Sequence, residues 1–141
     1  MVILDTDHLS LLDRGDVVMG KSLRRRLASF TPDEVATTII TYEEQMRGWM
    51  AYLAGAKRIS QQVEAYRRLG AHLHSYRDIR VLEFSERAAT EFQRLRGACP
   101  RVGAMDLKIA SIALVYSATL LTRNIGDFSQ VPGLRLEDWS A

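Results

Sequence analysis

The feature that most constrains the fold of this chain is the alternation of short apolar runs with longer amphipathic stretches. A buried strand of a parallel sheet is a short, nearly continuous apolar run, whereas a helix repeats its apolar residues every three to four positions. Strands that alternate with helical patterns are typical of βα units. The sequence therefore predicts an α/β fold, a three-layer α/β/α sandwich around a central, mostly parallel sheet of four to five strands.

The elements follow from the same two patterns. Strands are predicted at residues 2–4, 35–40, 81–82, 119–122 and 134–136. A short helix that carries Leu9, Leu11 and Leu12 is predicted after Thr6, and further helices are predicted at 17–30, 41–54, 58–76, 85–97 and 103–116. Thr6 is expected to cap the first helix, and Pro32 to break the chain before the second strand. With 141 residues and no repeat or linker, the chain is expected to form a single domain over 1–141.

Composition excludes several classes of protein. Cys99 is the sole cysteine, so the chain has no partner for an intramolecular disulfide and no thiolate zinc site. No apolar run approaches the roughly 20 residues of a membrane helix, and the short run that ends at Leu4 is not a signal-peptide core. The expected protein is therefore cytoplasmic, with no membrane association.

Acidic residues recur at the ends of the predicted strands. Asp5 follows the first strand, Glu43 and Glu44 open the helix after the second, and Asp127 follows the fourth. Asp106 lies in the first turn of the helix that leads into the fourth strand. Ligands of open parallel sheets bind beyond the carboxyl ends of the strands, so these side chains can converge. An oxygen-only donor set of this kind suits Mg²⁺ or Mn²⁺ better than zinc.

Each of these residues also has a structural interpretation. Thr41 and Glu44 fit a Thr-x-x-Glu capping box, and Asp106 is favourable near a helix N-terminus whatever its function. Asp127 is compatible with an Asx-turn. Asp5 is the hardest to explain in this way, because an unpaired carboxylate at the end of a buried strand is costly.

Four segments resemble the motifs of PIN domains. They are Val-Ile-Leu-Asp-Thr-Asp at 2–7, Thr-Tyr-Glu-Glu-Gln-Met-Arg-Gly at 41–48, Gly-Ala-Met-Asp-Leu-Lys-Ile-Ala at 103–110 and Leu-Thr-Arg-Asn-Ile-Gly-Asp-Phe at 121–128. The match is closest to the VapC-like toxins of bacterial toxin–antitoxin pairs. The second motif has a Glu four residues before a Gly, which selects Glu44 over Glu43. Those toxins usually have Asn where this chain has Asp7, so Asp7 is left outside the predicted site.

The resemblance implies an Mg²⁺- or Mn²⁺-dependent endoribonuclease that hydrolyses RNA phosphodiester bonds. The implied catalytic carboxylates are Asp5, Glu44, Asp106 and Asp127, supported by Thr6, Thr122 and Asn124. Asp5 and Asp106 are expected to bind metal directly, and Glu44 and Asp127 through water. The implied partners are the RNA substrate, a second copy of the chain in a homodimer, and an antitoxin protein.

Four alternatives stay open at this point. Asp5-Thr6-Asp7 fits a haloacid-dehalogenase-like phosphatase, although Lys108 is the only late lysine that such an enzyme could use. A receiver domain needs a lysine near the last strand, where this chain has Arg135. A non-catalytic PIN domain that binds RNA or protein is disfavoured by the presence of all four acids. A solitary RNA-processing PIN nuclease without an antitoxin agrees with every motif.

The predicted helices 41–54 and 58–76 are rich in large apolar side chains. These are Met46, Trp49, Met50, Tyr52, Leu53 and Tyr66. Ordinary core packing is one explanation. The other is an exposed apolar surface for self-association or for an antitoxin segment.

Overall fold

The computed structural model describes residues 1–13 and 18–140, and within them the sheet has five strands. The strands are β1 (Val2–Leu4), β2 (Val35–Thr38), β3 (Arg80–Leu82), β4 (Thr119–Leu121) and β5 (Arg135–Glu137). Their order across the sheet is β3-β2-β1-β4-β5, and every neighbouring pair is parallel. The predicted parallel sheet is confirmed.

Seven helices connect the described strands. They are α1 (Thr6–Asp13), α2 (Val18–Leu27), α3 (Ile39–Gly55), α4 (Ile59–Arg77), α5 (Glu86–Ala98), α6 (Ala104–Val115) and α7 (Ile125–Phe128). The expected break before β2 is a 3-10 turn over Pro32–Glu34. Residue 17, the predicted start of the second helix, and residue 141, the end of the predicted domain, lie outside the described residues. Of the helices described, none combines the length and the apolar character that crossing a membrane requires.

The helices cover both faces of the sheet, as the predicted sandwich requires. Ile3 and Leu120 point to the face covered by α5 and α6, where they pack with the buried side chains of Leu95 and Ile109. Val2, Leu4 and Leu121 belong to a second cluster on the opposite face, which includes buried leucines of α1 and α2. This alternation follows from the two-residue period of a strand, and it explains why β1 is apolar at every position.

The second strand is two residues shorter than the sequence predicts. β2 ends at Thr38, which is the N-cap of α3: its hydroxyl accepts a hydrogen bond from the Thr41 backbone N–H at 3.0 Å. The β-branched pair Ile39–Ile40 favoured an extended strand, but the cap of Thr38 opens the helix instead. The Thr41–Glu44 capping box is therefore wrong, and Glu44 lies in the second turn of α3, not in the first.

The carboxyl ends of the central strands meet at one edge of the sheet. The Asp5 backbone N–H donates to the Leu121 carbonyl at 2.9 Å, and the Thr37 hydroxyl donates to the Leu4 carbonyl at 2.8 Å. These bonds join β1 to β4 and to β2 at the C-terminal ends of the strands, where polar residues follow. Asp5 is thereby held at the centre of this edge.

Candidate active site

Asp5 is the centre of the acidic site and is 8% exposed. Its Oδ1 accepts from the Thr6 backbone N–H at 2.8 Å, and its Oδ2 accepts from the Thr122 hydroxyl at 2.8 Å. Burial raises the pKa of Asp5 in spite of these two hydrogen bonds. Each carboxylate oxygen thus has one donor and keeps acceptor capacity for a further ligand.

The loop after β4 links Asp5 to two other acids. The buried Thr122 hydroxyl also accepts from the Asn124 backbone N–H at 3.0 Å. The side-chain amide of Asn124 donates to Asp127 at 3.2 Å and to Asp106 at 3.4 Å. One short loop therefore holds Asp5 through Thr122, and Asp106 and Asp127 through Asn124.

The fourth carboxylate, Glu44, comes from α3. Burial and the charges of Asp5, Asp106 and Glu43 together raise the pKa of Glu44 to about 7. Burial also raises the pKa of Asp106, and the charges of Asp5 and Asp127 add to this effect. The charge of Asp5 thus acts on both Glu44 and Asp106, and the charge of Asp127 acts on Asp106.

Glu43 precedes Glu44 in the sequence, but its carboxylate forms an ion pair within α3. Its carboxylate pairs with Arg47 of the same helix at 2.6 Å. Successive helical residues differ by about 100° in direction, so the two side chains cannot both point at the acidic site. The charges of Asp5 and Asp106 contribute to the raised pKa of Glu44, which favours Glu44 as the member of the acidic site.

Thr6 contributes to the site through its main chain. The sequence predicted Thr6 as the cap of the first helix, but α1 already begins at Thr6. Its backbone N–H is bound by the carboxylate of Asp5. Its side-chain hydroxyl is buried and has no hydrogen-bond partner in the described part of the chain. The predicted side-chain cap is therefore wrong, because Asp5 takes that place.

Asp7 and His8 form a network that sequence reasoning missed. Asp7 accepts from His8 Nδ1 at 2.8 Å through one oxygen and from the Arg123 backbone N–H at 3.0 Å through the other. Burial alone raises the pKa of Asp7, but the hydrogen bonds from His8 and Arg123 outweigh it and lower the pKa. His8 is fully buried, and its Nε2 accepts from the Trp139 backbone N–H at 2.9 Å.

This network ties the first motif to the end of the chain. Because Nε2 of His8 accepts a hydrogen bond, the ring proton must lie on Nδ1, where it is donated to Asp7. Asp7 thereby holds the loop that presents Thr122 and Asn124. No signal in the sequence pairs position 8 with position 139, since their contact exists only in the folded chain.

The donor set of the site fits a hard divalent cation. Burial raises the pKa values of Asp5, Glu44 and Asp106, and the charges of neighbouring carboxylates add to this effect. Within residues 1–13 and 18–140, no group of three or more His, Cys, Asp or Glu side chains is arranged to hold an ion as it stands. The amide of Asn124 lies instead between Asp106 and Asp127. All the available donors are oxygens, as Mg²⁺ and Mn²⁺ prefer.

Known proteins resemble this chain in both sequence and fold. Ribonuclease VapC2 of Rickettsia felis is 35% identical over 65 residues, which cover 43% of this chain and 48% of that protein. The match thus spans about half the length of that relative. Ribonuclease VapC1 of Haemophilus influenzae is 25% identical over 143 residues, which cover 98% of this chain and 97% of that protein.

Solved structures share the fold along almost the whole chain. VapBC2 from Rickettsia felis, bound to a DNA fragment from its promoter, has a TM-score of 0.74 at 24% identity and covers 99% of each chain. VapBC-5 from Mycobacterium tuberculosis, a member of the VapBC family of toxin–antitoxin systems, has a TM-score of 0.58 at 24% identity, with 96% and 94% of the two chains covered. A family model described as PIN domain matches residues 2–134. Since that match includes all four carboxylates of the acidic site, the chain belongs to the PIN domain family.

Proposed function

We propose that this protein is a metal-dependent endoribonuclease that hydrolyses RNA phosphodiester bonds, and that it is the toxin of a VapBC-type pair. The observation that supports the proposal is the set of contacts among the predicted acids: Thr122 and Asn124 link Asp5 to Asp106 and Asp127, and the charges of Asp5 and Asp106 act on Glu44. The VapC relatives named as ribonucleases support it. Residues 1–141 act in this proposal as a single nuclease domain.

PIN nucleases are typically metal-dependent, and the residues present suit Mg²⁺ or Mn²⁺. Asp5 and Asp106 would bind the cation directly, and Glu44 and Asp127 through water. When bound, the cation would supply an activated water and would neutralise charge on the phosphate and the leaving oxygen. The four acids would otherwise repel the phosphodiester, which is itself an anion.

The residues of this protein hold the carboxylates in position and accept the proton of the attacking water. Thr122 and the Thr6 backbone N–H hold the two oxygens of Asp5 in place, and Asn124 does the same for Asp106 and Asp127. Glu44, with a pKa of about 7, holds a proton in part of the metal-free molecules at neutral pH. Its carboxylate is the group best suited to accept a proton from the attacking water.

The partners follow from the structural neighbours, which are VapBC complexes of toxin and antitoxin. An antitoxin segment laid beside the site would bring a basic side chain toward Asp5 and Asp106, because their charge is uncompensated. A solitary RNA-processing nuclease is the alternative. A small upstream open reading frame that encodes a DNA-binding protein would support the toxin, and its absence would favour the solitary nuclease.

The activity is tested with purified protein, total RNA and either Mg²⁺ or Mn²⁺. The wild type should cleave RNA, and EDTA should abolish the cleavage. Asp106→Asn should lower the rate at least about 100-fold, since it removes a charge that binds the cation. Asp78→Asn is the matched control, because Asp78 is an exposed acid at the end of α4. Full activity of Asp106→Asn would exclude the site as described.

Metal binding has a readout that does not depend on activity. Mn²⁺ should raise the melting temperature of the wild type, because the cation binds the folded state. It should also release protons near pH 6.5, because a bound cation lowers the raised pKa of Glu44. Calorimetry in two buffers of different ionisation enthalpy counts these protons. Asp5→Asn should lose both effects without unfolding.

A further inference from the structure

The loop between β4 and α7 carries the side chains that hold three of the four carboxylates. The Thr122 hydroxyl binds Asp5 at 2.8 Å. The Asn124 amide binds Asp106 at 3.4 Å and Asp127 at 3.2 Å, which is the long end of hydrogen-bond distances, so a small shift of the loop is enough to break these contacts. The bonds that fix the loop therefore also determine the geometry of the acidic site.

Three successive backbone N–H groups fix this loop. The N–H of Thr122 donates to the Glu137 carbonyl of β5 at 3.0 Å, and the N–H of Asn124 donates to the Thr122 hydroxyl at 3.0 Å. Between them, the N–H of Arg123 donates to the Asp7 carboxylate at 3.0 Å. The first two bonds lie within the sheet edge and the loop itself. The third depends on a side chain of α1, and hence on what holds that side chain in place.

Asp7 is held by its neighbour His8, which is fully buried. Nδ1 of His8 donates to one oxygen of Asp7 at 2.8 Å, and the other oxygen is left for the Arg123 N–H. Nε2 of His8 accepts from the backbone N–H of Trp139 at 2.9 Å. The imidazole therefore uses both nitrogens to connect Asp7 with the segment that follows β5.

That segment has a fixed position, because the Trp139 side chain is buried. Its ring belongs to the apolar cluster that contains the buried leucines of α2. The guanidinium of Arg26 lies 4.1 Å from the centre of the ring, and the ring of Phe30 lies 5.8 Å from it. The backbone N–H of Trp139 is thus a well-anchored donor for His8.

We propose that His8 is a positioning residue of the acidic site, although it is fully buried and cannot contact the RNA. It transmits the fixed position of Trp139 to Asp7. Asp7 in turn fixes the Arg123 N–H, and the next residue, Asn124, then stays in contact with its two acids. The proposal rests on the ribonuclease function proposed above. Removing a residue that orients metal ligands through other groups typically lowers metal affinity or activity about 10- to 100-fold.

A purely structural role for His8 is the alternative, since a buried hydrogen-bonded network can stabilise a fold without any effect on a site. Two observations favour the positioning role. An apolar side chain would serve stability alone, as at the buried neighbours Leu9 and Leu11, because replacing polar partners by apolar groups is often nearly neutral. In addition, the network ends on Arg123, which lies between the two residues that bind the carboxylates.

The test compares His8→Leu, which removes both hydrogen bonds, with His8→Gln. The amide of Gln carries a donor and an acceptor on one carbon, as the neutral imidazole does, so it can join Asp7 to the Trp139 N–H. In His8→Leu, the kcat for RNA cleavage at saturating Mn²⁺ should fall about tenfold, and the Kd for Mn²⁺ should rise by a similar factor. KM for RNA should stay unchanged. His8→Gln should restore most of kcat and of the Mn²⁺ affinity.

Leu95→Val is the matched control for lost stability. Leu95 is fully buried in the cluster on the opposite face of the sheet from Trp139, so the variant should lower the melting temperature through a packing defect away from the loop. Its kcat and its Mn²⁺ affinity should equal those of the wild type at a temperature where both proteins are folded.

The loop also gives a readout that needs neither RNA nor metal. Hydrogen exchange followed by NMR should show the Arg123 amide protected in the wild type, because its N–H is bound to Asp7. Exchange at Arg123 should be faster in folded His8→Leu and slow again in His8→Gln. In Leu95→Val it should stay as slow as in the wild type.

Cleavage by the wild type separates the two proposals. If the wild type cleaves no RNA with either metal, the ribonuclease function fails, and Mn²⁺ affinity and hydrogen exchange still decide the role of His8. If folded His8→Leu keeps the kcat, the Mn²⁺ affinity and the Arg123 protection of the wild type, the positioning role is overturned.

Should His8→Leu not fold, His8→Asn takes its place. The shorter amide keeps a donor for Asp7 but loses the acceptor for the Trp139 N–H, so only the connection to the segment after β5 is broken. Its kcat and Mn²⁺ affinity should fall in the same direction. Wild-type values in this variant would contradict the proposal.

Discussion

At the scale of single residues, the charged form of Glu44 lowers the free energy of unfolding of the metal-free protein. Its pKa is raised from 4.5 to about 7 by burial and by neighbouring carboxylates. Between these two values the folded state binds more protons than the unfolded state, so the free energy of unfolding falls as the pH rises. At pH 5 most of this penalty is absent, and at pH 8 it is present in full. A bound cation removes it.

Glu44→Gln should therefore lose nuclease activity while it stabilises the metal-free protein at pH 8. In EDTA the melting temperature should rise by roughly 2 to 5 °C at pH 8 and change little at pH 5. Glu43→Gln is the matched control: it removes a surface pair with Arg47 of about 0.5 kcal/mol and should keep most of the activity. If the two variants behaved the other way round, the site would include Glu43 in place of Glu44.

Asp7 stands where the toxins that this chain resembles usually have Asn, and the structure explains why Asn does not fit here. Asp7 accepts two hydrogen bonds, one of them from His8 Nδ1. The amide of Asn has one acceptor oxygen, which leaves an N–H facing His8. If His8 moved its proton to Nε2 to adapt, that nitrogen would face the Trp139 N–H with two donors. With the proton on Nε2, Asp138 Oδ1 would lie 3.5 Å away, but the Trp139 N–H would lose its acceptor. Asn at position 7 therefore costs at least one hydrogen bond of this network.

Asp7→Asn should accordingly destabilise the protein by about 1–3 kcal/mol, measured by urea denaturation. In a His8→Leu background the same substitution should have a much smaller effect, since the His8 N–H no longer needs an acceptor and the single oxygen of Asn can accept from Arg123. Equal effects in both backgrounds would show that Asp7 acts independently of His8.

At the scale of elements, the direction of Glu44 depends on where α3 begins. Thr38 is buried at the end of β2 and caps α3 by accepting from the Thr41 N–H. This cap sets the first turn and therefore the rotation of every later residue about the helix axis. The cap thus connects the edge of the sheet to the geometry of the acidic site.

Thr38→Ala should lower the free energy of unfolding by about 1–2 kcal/mol, because the Thr41 N–H loses its acceptor. Thr38→Ser keeps the hydroxyl and should retain most of the stability. Chemical denaturation of both variants makes the comparison. A Ser variant as unstable as the Ala variant would assign the effect to the lost methyl group and not to the cap.

At the scale of the whole molecule, α4 presents an apolar stripe to solvent. Ile59, Val63, Tyr66 and Leu73 recur at helical spacing, and each is at least half exposed. Trp49, which the sequence grouped with Tyr66 among the large apolar side chains of the two helices, packs against His72 instead. An exposed apolar stripe is one feature of protein interfaces, and self-association of this chain stays a prediction.

Light scattering at micromolar concentration should therefore give about twice the 15.9 kDa mass of the chain. Val63→Glu should shift the protein toward the monomer, because association would bury its charge. Val18→Glu is the control, as Val18 is 81% exposed on α2. A monomeric wild type would contradict the predicted homodimer but not the proposed nuclease activity.

The sequence by itself predicted the parallel sheet, which the structure confirms, and the four carboxylates, whose role in a site stays a prediction. Both depend on local patterns: apolar runs mark the strands, and the rule for ligand sites in parallel sheets then assigns the residues that follow Leu4 and Leu121. The register of Glu44 came from the motif around Gly48. These features are readable because each depends on neighbours within a few positions along the chain.

Only the tertiary structure decided the start of α3, the role of Asp7 and the contact of Trp49 with His72. Thr38 is a cap because β2 ends beside β1, which no local pattern records. Asp7 is held through positions 123 and 139, and Trp49 meets His72 across two helices. Hydrogen bonds between residues far apart in the chain are set by packing, since they form only after burial has brought the elements together and left each polar group in need of a partner.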